Sequence, residues 1–316
     1  MRKNSAMVKY FGVCLLSLLL LGTLICLPVS AAEPEGIRLK VLDAGEGQVV
    51  YTVESPRAYQ NALAVAASYY SGQLREVRFE NVDLEEGTQE LKHMFDERYT
   101  DVKIFLLDGA SYTPLTLCGE KQLVRVLDHD GTLLQAQYVY SGQTPVFPLP
   151  VERKGYLFAG WSGDCGEIYA ESSIVANYVE EKAANIFVVS SAEVKEGEEI
   201  TISVTLTGTV RLCAYDMNLF YDSQSLEFVS MDSEQTMDVT ANHIVKDGRI
   251  RFNFSSTKDR TRGGEILEIT FRLKDSRTSS SKVFLEPVKV YQTDPENSQI
   301  LLNAAYTLCE GVIVKE

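Results

Sequence analysis

Between residues 198 and 274 the chain reads EEITISVTLTG (198–208), AYDMNLFYDSQSLEFVS (214–230), GRIRFNFSS (248–256) and GGEILEITFRLK (263–274). In each block apolar residues recur at every second position, the period of a strand with one buried face. In the second block Tyr215, Met217, Leu219 and Tyr221 point one way, while Asp216, Asn218 and Phe220 point the other. In the third, Ile250, Phe252 and Phe254 face inward; Arg249, Arg251, Asn253 and Ser255 face outward. Polar residues between apolar ones leave a solvated sheet face free to meet a partner. Turn signals at Asp222-Ser223, Asp247-Gly248, Gly263-Gly264 and Asp275-Ser276 punctuate the region.

Working outward, the first 32 residues stand apart from any fold. Arg2, Lys3 and Lys9 make a positive start, Gly12 to Leu27 is an uncharged apolar run, and Ser30-Ala31-Ala32 offers small residues before Glu33. That pattern predicts a secretory signal peptide over 1–32. The full chain of 316 residues carries a formal net charge of −14. Cleavage removes three of 30 basic side chains and none of the 44 acidic ones, so the exported chain is more acidic still. Such a surface argues against nucleic acid and against anionic membranes. No second hydrophobic span and no cell-wall sorting signal stands before Glu316, so the expectation is a secreted, extracellular or cell-surface protein without membrane contact after cleavage.

Four cysteines follow the signal: Cys118, Cys165, Cys213 and Cys309. Export permits disulfides, and a Cys213–Cys309 bridge within the last domain stays open. No CxxC and no Cys/His cluster points to a metal. Asp128-x-Asp130-Gly131 looks like the start of a calcium loop, but the later ligands are missing, so a hairpin turn is the better reading. His93, His129 and His243 fall in different regions, and no G-x-S-x-G, HExxH or phosphate loop occurs. The expectation is no enzyme, no cofactor and no metal.

The chain divides into a module over 33–118, a second over 121–180 and a third over 184–316. All three read as β. In the first, IRLKVLD, GQVVYTVES, ALAVAASYY, QLREVRFENVDL and DVKIFLLDG predict a small β-sandwich with a turn at Ser71-Gly72. Val102, Lys103, Phe105, Leu106 and Asp108 resemble a surface domain common in secreted proteins of anaerobic bacteria, which implies spacing or presentation. In the second, Asp128-x-Asp130-Gly131, Arg153, Gly155-Tyr156, Phe158, Gly160-Trp161 and the closing strand SSIVANYV resemble the internalin-type B repeat, or Listeria–Bacteroides repeat. The resemblance implies a small β-grasp-like spacer, with Trp161 a core residue.

The third module resembles the cohesin domain. The residues that carry the likeness are AYDMNLFYD (214–222), LEF (226–228), ILEITF (266–271) and the closing EGVIV (310–314). This implies a jelly-roll β-sandwich with packed inner faces and wet outer ones. It also implies a role: cohesins hold dockerin domains and so attach polysaccharide-degrading enzymes to scaffolds in cellulosome-type assemblies. Asp216 matches a position that meets the dockerin in that family, and Asn218 shares its face. Phe220, Arg249, Arg251, Asn253 and Ser255 join them as partner-binding candidates by alternation. Calcium in such a complex belongs to the dockerin. Two other readings stand beside this one: a carbohydrate-binding or adhesin module, with Phe220 and Tyr291 as candidate aromatics for a polysaccharide, and a structural surface protein with no dockerin partner.

Overall fold

The computed structural model describes residues 36–233, 248–274, 279–297 and 301–316. The signal-peptide segment, His243 and the turns at Asp247 and Asp275-Ser276 lie outside these residues. The described residues are all β, without an α-helix.

The first module places β1 (Arg38–Gly45), β2 (Gln48–Ser55) and β5 (Gly87–Met94) in one three-stranded sheet. Strands β3 (Tyr59–Tyr70), β4 (Gln73–Leu84) and β6 (Asp101–Asp108) form the other, in the order β4-β3-β6. Between them lie Leu39, Val41, Tyr51, Ala64, Ile104 and Leu106, all buried. Ser71 and Gly72 both adopt positive φ (49° and 79°), the geometry that closes a two-residue hairpin between right-twisted strands. Strand β5 carries no obvious apolar alternation, because one of its two buried positions is His93 and the other Leu91.

The second module contains β7 (Lys121–Leu127), β8 (Leu133–Tyr140), β9 (Tyr156–Gly163) and β10 (Ser172–Glu180). Their order is β8-β7-β10-β9, with β10 parallel to β7 and antiparallel to β9. A parallel central pair flanked by two hairpin partners is the β-grasp-like arrangement. The crossover that a helix would make is instead the proline-bearing stretch between β8 and β9. Trp161 is buried among Phe147, Phe158, Val124 and Ile174. Asp128 accepts from the His129 amide and pairs with Arg153, whose guanidinium lies 5.0 Å over the Tyr178 ring. Asp130 accepts from the Thr132 amide at 2.9 Å, so the acidic pair stabilises a hairpin turn.

The third module is a sandwich of two sheets. One has the order β15-β17-β13-β11-β20, with β11 (Ile186–Val189), β13 (Glu199–Thr207), β15 (Leu226–Asp232), β17 (Gly264–Leu273) and β20 (Thr307–Cys309). The other has the order β12-β21-β18-β14-β16, with β12 (Ala192–Val194), β14 (Leu212–Tyr221), β16 (Arg249–Arg260), β18 (Ser280–Thr293) and β21 (Gly311–Lys315). A short β19 (Leu301–Asn303) adds to the far end of β18. The first and last strands meet in parallel in both sheets, as β11–β20 and β12–β21, closing a jelly roll. Tyr215, Met217, Leu219, Ile250, Phe252 and Phe254 point into the core, as their alternation predicts. Each such side chain contributes roughly 1.5–3 kcal/mol by leaving water.

Strand β21 is unusual in being covered on both faces. Ile313 enters the core of the third module, whereas Val312 and Val314 pack with the Trp161 cluster of the second. Beside them the Glu310 carboxylate accepts the Trp161 backbone N–H at 2.7 Å and lies 3.3 Å from Lys282 Nζ. Gly160 sits at φ +138°, and a Cβ there would come within 2.7 Å of the Glu310 side chain. Phe147 N–H donates to Ser280 Oγ at 2.8 Å, and Lys282 Nζ stands 4.5 Å from the Phe147 ring centre. The first and second modules also touch, through the Val41 N–H to Ser141 carbonyl bond and the Lys40–Glu167 ion pair at 2.7 Å.

Candidate partner-binding face

The outer face of the β18-β14-β16 strip collects all seven residues expected from the sequence. Across β14 and β16 the register sets Ala214 opposite Ser255, Asp216 opposite Asn253, Asn218 opposite Arg251 and Phe220 opposite Arg249. None of the seven is buried, while the intervening Tyr215, Met217, Leu219, Ile250, Phe252 and Phe254 all are. The side chains alternate because the pleat does, and the buried set holds the exposed set in place.

At the centre is an ion pair. Arg251 donates through Nε to Asp216 Oδ1 at 2.9 Å and through its terminal nitrogen to Oδ2 at 2.5 Å. The two lie diagonally across the ladder, one row apart. This fork-to-fork geometry uses both carboxylate oxygens. The Arg251 hydrogen bonds hold the Asp216 carboxyl below the usual carboxylate range, and Lys289 on the other neighbouring strand adds to the effect.

The sequence reasoning missed β18, which supplies the second flank of this face. Phe284 lies opposite Phe220, and the rings stack at 5.4 Å with 22° between planes. Phe284 keeps 43% of its surface exposed. Glu286 pairs with Asn218 and Lys289 with Asp216. Between them the register slips by one residue, leaving Val288 unpaired and 45% exposed. This is a β-bulge, which adds an outward side chain to the face. Pro287 is tolerated because β21 pairs only with Ser280–Val283 of β18, and β19 only with Tyr291–Thr293. The signal was legible as Val283, Leu285 and Val290 facing in, but Pro287 and Glu286 interrupt the run.

The face is partly exposed and mixed in chemistry. Phe220 and Phe284 form one aromatic step, and Tyr291 lies three rows away opposite Ala214, with Asp216 and Asn218 between. These aromatics therefore form no continuous strip along which a sugar chain would stack. The Asn218 side-chain oxygen is buried without a hydrogen-bond partner among the described residues.

The four thiols are free. Cys213 on β14 and Cys309 on β20 are both buried, in opposite sheets, so the bridge left open by the sequence is not formed. Burial pushes the Cys309 thiol up to about 12. Asp128, His129 and Asp130 bring ligand-type atoms within 4.8 Å of one another, but Arg153 already occupies Asp128.

The family model for the cohesin domain matches residues 186–301. No curated protein sequence matches the chain. Among solved structures, the sixth cohesin of Acetivibrio cellulolyticus scaffoldin B, in complex with a Cel5 dockerin mutant, is 20% identical with a TM-score of 0.34, covering 42% of this chain and 100% of that one. A type I cohesin–dockerin complex of Clostridium thermocellum is 18% identical with a TM-score of 0.34, covering 44% of this chain and 99% of that one. A non-cellulosomal cohesin from the archaeon Archaeoglobus fulgidus is also 18% identical, with a TM-score of 0.34, covering 42% and 93%.

Proposed function

We propose that the cohesin domain at residues 186–301 binds a dockerin domain of a secreted enzyme or scaffold, in a cellulosome-type assembly for polysaccharide breakdown. The observation that carries the reading is the exposed strip on β14, β16 and β18. It sets the stacked Phe220–Phe284 pair beside the Asp216–Arg251 pair on a rigid sheet. An exposed apolar step rimmed by oriented polar groups is the composition of a protein-binding patch.

The rest of the chain is read as support. The 33–118 sandwich and the 121–180 internalin-type repeat carry the binding domain away from whatever holds the protein, and a signal peptide over 1–32 exports it. The chain does no chemistry of its own. Purified protein should release no reducing sugar from plant polysaccharides; release that disappears on mutating one Asp or Glu would refute this. Calorimetric titration with a panel of purified, calcium-loaded dockerin domains tests the binding reading. A specific, saturable one-to-one interaction supports it, and a panel without any binder overturns it.

A further inference from the structure

The strip has the dimensions of one α-helix, and its charges are arranged with a definite handedness. From Ala214 to Phe220 the strand rises roughly 3.3 Å per residue, so the four outward rows run for about 20 Å. Neighbouring strands lie about 4.8 Å apart, which makes the three-strand strip about 10 Å wide between its outer axes. A helix is about 10–12 Å across and rises 1.5 Å per residue, so about 13 residues fill the strip.

Charge then selects the helix. Arg251 and Asp216 neutralise each other. What remains on the rim is Arg249 and Lys289 against Glu286, a positive balance on a chain with 44 acidic and 30 basic side chains. Arg249 belongs to β16, in the row of Phe220, whereas Lys289 belongs to β18, in the row of Asp216. The two cations therefore stand on opposite flanks of β14, two rows or about 13 Å apart along it. On a helix lying along β14, about 13 Å is nine residues, which is two and a half turns. Residues i and i+9 consequently project from opposite flanks, the arrangement needed to meet both cations.

We propose that the partner helix bears two acidic side chains about nine residues apart, one meeting Arg249 and the other Lys289. Between them an apolar stripe rests on Phe220, Phe284 and Val288. This rests on the dockerin reading above and adds to it the chemistry of the docking helix. Arg251 is fixed by Asp216 and orients the helix, while the two outer cations choose it.

The test uses the full chain, the same dockerin panel and four variants, each first shown to melt as the wild type does. Phe284→Ser, Lys289→Glu and Arg249→Glu should each weaken the best-binding dockerin by at least about tenfold, and rising salt should weaken the wild-type complex. Glu268→Lys, on the outer face of the opposite sheet, should change affinity by less than about twofold. Changing to Lys the dockerin acid that faces Lys289 should restore binding to Lys289→Glu and not to Arg249→Glu. A dockerin bound by the wild type with affinity indifferent to salt and to all three face variants overturns this inference and leaves the dockerin reading standing. If no dockerin binds the wild type, both fall together.

Discussion

Arg251 grips both carboxylate oxygens of Asp216 across the β14–β16 ladder, at 2.9 and 2.5 Å, one row off register. Each member is oriented by the other, so neither acts alone. Asp216→Ala frees the guanidinium to swing, and Arg251→Ala leaves a carboxylate without its donor. Each change should weaken dockerin binding by about tenfold, and the double variant should be little worse than either single. Calorimetry on the four corners of the cycle reads this directly. Losses that simply multiply would mean two independent contacts.

The inner face of the same strand predicts the opposite phenotype. Leu219 is fully buried between Ile250 and Leu285 on the flanking strands. Leu219→Ala should cost roughly 2–5 kcal/mol of stability through lost burial and a residual cavity. Affinity, measured well below the melting transition, should stay within about twofold because the outer row is untouched. A large affinity loss with unchanged stability would reverse the assignment of the two faces.

Alternation made β14 and β16 legible because Tyr215, Met217, Leu219, Tyr221, Ile250, Phe252 and Phe254 are apolar and inward, while Asp216, Asn218, Arg249, Arg251, Asn253 and Ser255 between them are polar and outward. The same rule missed β18 and β5. Pro287 interrupts β18 at a point where only one neighbour pairs with it, a circumstance that depends on where β19 and β21 stop. On β5 a histidine occupies a core position, and its partner Tyr51 comes from 42 residues upstream. The joint between the second and third modules was written in the sequence as Val312-Ile313-Val314. Three consecutive apolar residues are the mark of a strand covered on both faces. What local pattern could not give was the identity of the second cover, the Trp161 cluster.

That joint carries a third prediction. Trp161→Ala removes the largest side chain of the second core and should cost roughly 3–5 kcal/mol. Because Val312 and Val314 share that core, the effect should reach β21 of the third module. Hydrogen exchange at the Val312 amide, which donates to Ser191 Oγ at 3.0 Å, should accelerate together with β9 and β10. Unchanged protection at Val312 would mean that the two modules unfold independently.

Thiol chemistry gives a fourth. All four cysteines after residue 32 are free, and burial holds the Cys309 thiol up at about 12. The thiolate is the reactive form. Under non-reducing conditions the denatured, signal-free chain should therefore titrate four thiols, and Cys309 should react with a maleimide only on unfolding. Mass spectrometry that finds a Cys213–Cys309 linkage would contradict the packing of the two sheets.

The buried His93 makes the first module sensitive to mild acid. Its Nε2 lies 3.0 Å from the Tyr51 hydroxyl, and the two rings stack at 5.8 Å. Burial lowers the imidazole from its ordinary value, a pull that the Glu80 carboxylate, 3.9 Å away, only partly offsets. A group with a lower pKa folded than unfolded binds its proton more readily in the unfolded chain. Its contribution to stability is therefore complete above the unfolded value of about 6.5, and is lost as pH falls from there through the folded one. Between pH 7.5 and 5.5 the melting temperature of the first module should fall in the wild type. In His93→Gln, which keeps a polar partner for Tyr51 and does not titrate, the slope over that window should be shallower. Equal slopes would place the acid sensitivity elsewhere, and a steeper slope in the variant would mean that Glu80, not burial, governs the histidine.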